Sequence, residues 1–499
     1  MKHTLTLLAV LLLAGLHAAE PASADTVPVA AQEASVPPGA WKLLFSSPPD
    51  ITNTWGKIHF GATALQKLQA CGNPGFEVIH TIPQSDGSCL VYGSAFNEDK
   101  NIKNFTNAFA QMAEVKTTWN LVRATTRDGV RFENVETVFT SAPANWQPHC
   151  AIAYNPNAKE FLMLRIVTDT NGMGYRAFFS PDGKNWKLHS NEPPFYDGDS
   201  MSLFWSPKAG RFVCICKTLQ PFLKHLQDHG GRTSSLHNGD LRDRRVQIVR
   251  SSLDGRRWEP DVSMQDLWDR SGKKSHVPRE FMTVSDANDP PDMEFYRCIS
   301  FWYHDRSYAM VLNYAASPLA KLKHAPQLDT EWWFGRDGLH WERPYRGINA
   351  LGDTFPEGYC VTHNPMNLNG MTLFRFGNKL LGMKQDRISY VGARANAEFS
   401  TTPFQMPKGD LLLNAAAPAP ERAFAAQQAY IMVAVLDDKG EVVPGFEREK
   451  CVIQNADKID LPLRWNGKSA RELFGRNIRL RFSLRSASIF AVTSAPDRK

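Results

Sequence analysis

Hydrophobic and polar residues alternate along most of the chain, in short runs separated by turn-forming residues. Four segments repeat one scheme of strand, turn and strand: residues 149–166, 199–217, 294–314 and 357–376. Runs of this length, bounded by Gly, Pro, Asn and Asp, are typical of β-strands joined by tight turns. The run SCLVYGSAF (88–96) predicts one more inner strand ahead of them.

A hairpin motif follows a further strand-like run in four places. Its copies are TRDGVRF, SPDGKNW, SLDGRRW and GRDGLHW, with the aspartate at Asp128, Asp182, Asp254 and Asp337. Each aspartate is expected to accept hydrogen bonds from backbone N–H groups of the turn, while the glycine takes a positive φ. We therefore interpret the motif as scaffold at the outer edge of a sheet, and not as a catalytic aspartate.

Two inner strands and a hairpin pair make one four-stranded antiparallel unit, and five units predict a five-bladed β-propeller. The fifth outer hairpin, near residues 384–395, lacks the Asp-Gly pair, and WKLLFSS (41–47) is expected to close the ring by pairing with the last blade. The C-terminal region predicts a compact β-sandwich. The predicted fold is therefore all-β, with a propeller over residues 25–405 and a sandwich over residues 406–499.

The N-terminus indicates export. Lys2 precedes an apolar run from Leu5 to Leu16 and then small residues, which is the pattern of a signal peptide over residues 1–24. The protein is expected to be secreted or periplasmic, and no later segment is apolar enough to predict a membrane span. The eight cysteines leave open a disulfide between Cys71 and Cys89, or plain buried thiols.

Charge narrows the choice of partner. The net charge of +6 is spread along the chain, which fits either a mildly basic surface or affinity for an acidic glycan such as a uronate. No basic and aromatic pattern for nucleic acid is present, and no cofactor is expected. A C-x-x-C pair is absent, and His225, His229 and His237 permit a metal site but lie in a segment that we interpret as a rim for substrate binding.

A propeller with S-x-D-G-x-x-W hairpins followed by a sandwich resembles the exported glycosidases related to fructosidases and arabinanases, of glycosyl hydrolase families 32 and 43. The run GDLLLN to IRLRFSLRSASIFAV is similar to the tail of glycosyl-hydrolase-like proteins. The fructosidase motifs W-M-N-D-P-N-G, R-D-P and E-C are absent. The resemblance therefore implies an architecture and a site in the central funnel, and assigns no catalytic residue.

The first residues of the inner strands are the candidates for that site, because they are expected to meet at one end of the funnel. Hydrolysis of a glycosidic bond needs two facing carboxyl groups. The predicted catalytic residues are Asp199 as base or nucleophile, Glu294 as general acid, and Glu357. The predicted substrate-binding residues are Asp86, His149, Asp292 and Tyr296, while Phe204, Trp205 and Trp302 are expected to lie in the core.

These features predict an exported glycoside hydrolase that cleaves a plant or algal polysaccharide or oligosaccharide. A propeller that binds carbohydrate without cleaving it is one alternative. A polysaccharide lyase acting on a uronate-containing glycan is another, because His149 and Tyr296 could abstract a proton.

Overall fold

The computed structural model describes residues 41–97, 116–141, 144–145, 150–169, 172–196, 200–221, 243–260, 282–283, 286–289, 293–315, 327–352, 361–419 and 428–494. Its regular elements are 32 β-strands, numbered in chain order, and short 3-10 helices at Pro48–Asp50, Arg448–Lys450 and Ala470–Leu473. The predicted all-β class is confirmed. Across these described ranges, no helix has the length and apolar character that a membrane crossing requires.

Five antiparallel sheets follow one another along the chain. The first contains β5 (Glu77–Pro83), β6 (Cys89–Asn97), β7 (Lys116–Thr126), β8 (Glu133–Thr140) and β9 (Ala144–Asn145). The second contains β10 (Cys150–Asn155), β11 (Glu160–Asp169), β12 (Gly172–Ser180) and β13 (Lys187–Leu188). The third contains β14 (Met201–Ser206), β15 (Arg211–Pro221), β16 (Asp243–Ser252) and β17 (Met282–Thr283).

The remaining two sheets complete the series. The fourth contains β18 (Met293–Tyr303), β19 (Arg306–Ala315) and β20 (Gln327–Gly335). The fifth contains β21 (Met366–Leu368), β22 (Met371–Phe376), β23 (Lys379–Lys384) and the N-terminal strand β4 (Gln66–Ala70). The first strands of the first four sheets, and the segment leading into β21, border one common cavity. We interpret the five sheets as the five blades of the predicted propeller.

Two further sheets form the sandwich. Its first sheet contains β3 (His59–Ala62), β24 (Ser389–Ala393), β32 (Ala487–Ser494), β27 (Leu411–Ala417) and β30 (Ala456–Pro462), with β1 (Lys42–Leu44) beside β32. Its second sheet contains β2 (Ile51–Trp55), β25 (Ala397–Thr401), β31 (Asn477–Arg485), β28 (Tyr430–Leu436) and β29 (Val452–Ile453), with β26 (Phe404–Gln405) beside β31.

The prediction for ring closure is wrong. WKLLFSS does not join the last blade: β1 pairs with β32 of the sandwich, and Lys379 of β23 pairs instead with Ala70 of β4. The physical reason is Phe45, which is fully buried in the sandwich core and contacts Phe399 and Phe482 edge-on. An apolar run of this kind suits either core, so its sequence alone cannot choose between them.

The two sandwich sheets also recruit more of the chain than expected. The segment 384–395, predicted as the outer hairpin of the fifth blade, instead contributes β24 to the sandwich. Strands β1–β3 and β24–β26 all belong to the two sandwich sheets, although they precede residue 406. The sandwich sheets therefore include strands from before the predicted boundary between residues 405 and 406.

The four hairpin motifs behave as predicted. The Oδ1 atom of Asp182 accepts from the backbone N–H groups of Lys184 and Asn185 at 2.9 and 2.8 Å. The aspartates of the other three copies also accept two backbone N–H groups each. Gly183 has a φ of +68°, and a Cβ there would lie 1.9 Å from the Tyr92 hydroxyl of the preceding sheet. The motif is therefore a turn packed against the neighbouring sheet.

The cysteine alternatives are also resolved for one pair. Cys71 and Cys89 are both free thiols, so the disulfide between them is not formed. Burial raises the pKa of the Cys89 thiol to about 12, which keeps it protonated and unreactive near neutral pH.

Candidate functional site

The central cavity has a volume of about 240 Å³ and lies where the first strands of the sheets converge. Most of the residues that line it are apolar, as expected for strands buried on both faces between neighbouring sheets. The polar groups of the wall are His80, Ser202, Ser300, Thr362 and Asn364.

These polar groups mainly join neighbouring inner strands to each other. The Ser202 hydroxyl accepts from the backbone N–H of Ser300 at 2.6 Å, which links β14 to β18. The Asn364 side chain accepts from the N–H of Thr81 at 2.8 Å and donates to its carbonyl at 2.7 Å, which links the fifth sheet to β5. Burial lowers the pKa of His80 to about 3, so that imidazole is neutral. Among the described residues, the deep wall therefore holds neighbouring strands together and carries no charged group.

Charged groups gather near the start of β18, in a cluster that we call the funnel mouth and define by Lys217, Arg245, Glu294 and Tyr296. Glu294 is the second residue of β18, and Arg245 lies near the start of β16 in the neighbouring sheet. One Glu294 oxygen accepts from the Arg245 backbone N–H at 2.9 Å, and the other accepts from its guanidinium. The Glu294 side chain is 5% exposed and that of Arg245 is 18% exposed.

Tyr296 is held between two cations. The Lys217 ammonium lies 4.6 Å from the centre of its ring, and the Arg245 guanidinium carbon lies 5.3 Å from it. Such contacts between a cation and an aromatic face are stabilising when they are partly desolvated. The ring is buried, and the predicted role of Tyr296 in substrate binding stays a prediction. Its position suits a residue that orders Lys217 and Arg245.

A bulge in β18 shapes this end of the sheet. The pairing of β18 with β19 shifts between Phe295 and Cys298, which leaves nearby backbone groups outside the regular ladder. The Gln247 amide donates to the carbonyl of Tyr296 at 3.3 Å and more weakly to that of Phe295. The bulge and its polar support therefore fix the direction of the strand that carries Glu294.

Asp86 does not lie with these residues, which corrects its predicted placement. The innermost strand of the first sheet is β5, not the predicted strand over residues 88–96, so Asp86 falls in the turn after β5. That turn is at the opposite end of the sheet from the start of the first strand. There Asp86 accepts from Ser88 and pairs with Arg127 at 2.6 Å on the surface.

Four predicted site residues lie outside the described residues: Asp199, Glu357, His149 and Asp292. The rim segment with His225, His229 and His237 also lies outside them. Their roles remain predictions. Phe204 and Trp205 are buried between sheets, as expected for core residues. Lys217 and Arg245 were missed, because only the arrangement of the sheets brings them to Glu294.

No protein-family model matches the sequence, and no curated protein matches it. One similar solved structure comes from work on the GH130 family of mannoside phosphorylases. That family is described as containing glycoside hydrolases that target β-1,2 mannosidic linkages in Candida mannan. The identity of that structure is 12% and its TM-score is 0.37, over 68% of this chain and 95% of that one.

Two more similar structures are described as glycoside hydrolases. A glycosyl hydrolase from Bacteroides ovatus is 11% identical with a TM-score of 0.35, over 69% of this chain and 97% of that one. An exo-β-1,3-galactanase from Phanerochaete chrysosporium is 9% identical with a TM-score of 0.32, over 86% and 99%. Similarity with TM-scores below 0.5 does not carry a functional assignment, which has to come from the site itself.

Proposed function

We propose that this protein is an exported glycoside hydrolase that cleaves a polysaccharide or oligosaccharide at the funnel mouth. The observation that carries the proposal is the carboxylate of Glu294. It lies at the start of β18, the inner strand whose residues Ile299 to Trp302 line the central cavity, and is held by Arg245 of the neighbouring sheet. Carboxyl groups that converge from neighbouring strands are what glycosidic hydrolysis requires.

The ion pair changes the role that we assign to Glu294. A carboxylate that accepts two hydrogen bonds from one arginine is held as an acceptor, which suits a base, a nucleophile or a stabiliser of positive charge in the transition state. The general acid is then one of the other predicted acids, Asp199 or Glu357. This assignment reverses the sequence-based one, in which Glu294 is the proton donor.

The cations around the site favour an acidic substrate. Lys217 and Arg245 flank Tyr296, and Arg165 lies opposite Cys150, the first residue of the second inner strand. Lys217 and Arg245 therefore outnumber Glu294 at the funnel mouth, while the Arg165 guanidinium packs 5.4 Å from the Trp119 ring of the first sheet. Positive potential in a concave site attracts a carboxylated sugar such as a uronate.

A second candidate function is carbohydrate binding without hydrolysis. The small exposure of Glu294 and its full engagement by Arg245 favour this reading, because a purely structural ion pair has the same features. The two functions differ in whether a bound glycan is cleaved.

The test is a panel of neutral and uronate-containing polysaccharides, assayed for release of reducing ends. The wild-type protein is expected to cleave at least one glycan, and Asp199→Asn, Glu294→Gln and Glu357→Gln are expected to lower its turnover. Binding of the same glycan, measured by calorimetry, separates the two candidates. A glycan that binds to the wild-type protein and is never cleaved would support the binding function and contradict the hydrolase.

A further inference from the structure

The second sandwich sheet has an outer face that faces away from the sandwich core. Phe399 and Phe482 of β25 and β31 point into that core. Their sequence neighbours therefore point outward, because successive side chains of a strand alternate between the two faces. In register across the sheet, Trp55, Glu398, Ser483 and Met432 form one row on this outer face.

The central strand of this sheet carries a ladder of arginines on the outer face. In β31, Arg479, Arg481 and Arg485 all lie on the side opposite to the core residues Leu480, Phe482 and Leu484. Side chains two positions apart on a strand are separated by roughly 7 Å. The ladder therefore presents a line of positive charge along β31.

In the part of the chain that the structure describes, no carboxylate forms an ion pair with these three arginines. Within the described ranges, the guanidinium groups of Arg479 and Arg481 make no hydrogen bond or ion pair. Arg485 donates to the Gln428 carbonyl and lies 5.4 Å from the Tyr430 ring, without a carboxylate partner. The nearby Glu398 is already paired with Arg448, so it does not offset the ladder.

An aromatic residue stands beside the ladder. Trp55 on the edge strand β2 is 63% exposed, which is unusual for the largest apolar side chain. It pairs across from Glu398 of β25, and it lies two strands from the ladder strand β31 and three strands from β28, which carries Tyr430. The distance from β2 to β28 is three strand spacings, or roughly 14 Å, which is long enough for an oligosaccharide.

We propose that the outer face of the second sandwich sheet binds an anionic polysaccharide, separately from the funnel mouth. The arginine ladder would pair with carboxylate or sulfate groups, since guanidinium groups form strong charge-assisted hydrogen bonds with them. The exposed ring of Trp55 would cover the apolar face of a sugar ring. A polysaccharide fits better than an acidic peptide, because this face combines a flat exposed aromatic ring with charge that repeats along one strand.

The test measures binding of the intact protein to polygalacturonate by calorimetry at low salt. The variant Arg479→Ser/Arg481→Ser is expected to weaken binding about tenfold, because two charge contacts are lost. The matched control Arg131→Ser/Arg257→Ser removes the same charge from exposed turns of the propeller and is expected to leave the affinity unchanged. Trp55→Ala is expected to weaken binding with the net charge intact.

Three results would overturn the proposal. The first is equal affinity of the two double variants for polygalacturonate. The second is wild-type binding to a neutral arabinan as tight as to polygalacturonate. The third is tighter binding to duplex DNA than to polygalacturonate, which would assign the face to another class of polymer. Both double variants keep the funnel mouth intact, so any binding or cleavage there is common to both, and the difference in affinity between them reports on the outer face alone.

Discussion

The two ends of the fourth sheet both carry buried charges, but they use them differently. At the funnel mouth, Glu294 pairs with Arg245, whose side chain keeps 18% of its surface exposed. At the other end, Lys42 and Asp386 pair at 2.5 Å with side chains only 3% and 1% exposed. We call this second cluster, Lys42, Tyr303, His304 and Asp386, the sandwich-facing cluster.

The sandwich-facing cluster joins the two domains. Lys42 comes from the sandwich strand β1, while Tyr303 and His304 end the inner strand of the fourth sheet. The Tyr303 hydroxyl donates to Asp386 at 2.8 Å, and a His304 ring nitrogen lies 3.1 Å from the same carboxylate. Burial, with the nearby Asp386 charge, raises the pKa of Tyr303 well above its ordinary value.

A second network lies beside it. Asp50 accepts from the backbone N–H groups of Ser46 and Ser47 and pairs with Arg306 and Arg336. At this end each charge is matched by several partners across the boundary between propeller and sandwich. The difference indicates that the sandwich-facing end stabilises the assembly, whereas at the funnel mouth Arg245 keeps part of its side chain exposed, which fits the proposed role in ligand binding.

The largest effect is expected from a matched pair of substitutions in the fourth sheet. Glu294→Gln should lower kcat at least about a hundredfold, because a carboxylate that takes part in the reaction is lost. Glu331→Gln removes a carboxylate of β20 that is equally buried and pairs with Arg343. This variant should leave kcat nearly unchanged. Steady-state kinetics and thermal unfolding of both variants check this. Equal kcat values for the two variants would make Glu294 structural.

Removing Asp50 tests whether the network at the sandwich-facing end of the fourth sheet stabilises the protein. Asp50→Ala should lower the free energy of unfolding by about 3–5 kcal/mol, because the buried Arg306 loses a charged partner. Asp305 is a second partner of Arg306, and its own side chain is 58% exposed. Asp305→Ala should therefore lower the free energy of unfolding by about 1 kcal/mol or less. Denaturant unfolding measures both. A cost for Asp50→Ala no larger than for the control would contradict the stabilising role.

Asp386 should make stability depend on pH. Burial alone would raise its pKa, but the hydrogen bond from His304 and the charge of Lys42 outweigh burial and hold the pKa below the ordinary value of 3.8. The stabilisation is therefore present above pH 3.8 and is lost as the pH falls through the lower folded value. Asp386→Asn should lower stability by about 2 kcal/mol at neutral pH and flatten this acid dependence.

The measurement for Asp386 is the free energy of unfolding between neutral and acid pH. The comparison is Asp457→Asn. Asp457 pairs with Arg387, and its side chain is half exposed. If the acid dependence of Asp386→Asn equals that of the wild-type protein, the sandwich-facing cluster is not held by that charge.

The smallest effect is expected at a hairpin motif. Asp337→Ala removes the acceptor of the Leu339 and His340 backbone N–H groups and should cost about 1 kcal/mol. Glycan cleavage should stay unchanged, because the turn packs against the third sheet and not at the funnel mouth. The control is Asp438→Ala in an exposed turn of the sandwich. Loss of turnover in Asp337→Ala, with stability intact, would overturn the scaffold interpretation.

Local interactions were predictable from the sequence. The aspartate of each hairpin bonds within three residues of itself, so its pattern is visible in a short window. The inner strand β5 was missed because EVIHTIP has polar residues and a terminal proline. The more apolar segment of β6 was predicted as the inner strand instead. The closing strand β4 is largely exposed and polar, so hydrophobic pattern gives no sign of it.

The site was only partly predictable for the same reason. Glu294 could be found because it opens a strongly apolar strand. Its partner Arg245 is 49 residues away along the chain, in a different sheet, and their contact depends on how the sheets are arranged about the cavity. Charge pairs between sheets leave no periodic signal, which is why Lys217 and Arg245 emerged only from the structure.

The most direct test of the central claim is a crystal structure of the Glu294→Gln protein with a bound glycan. We expect the side chain at position 294 and the carboxyl of Asp199 or Glu357 to flank one glycosidic bond. Their separation should be about 5–5.5 Å for a retaining enzyme or about 6.5–9.5 Å for an inverting one. A glycan bound at the funnel mouth with neither acid near that bond would contradict the hydrolase and leave a binding protein.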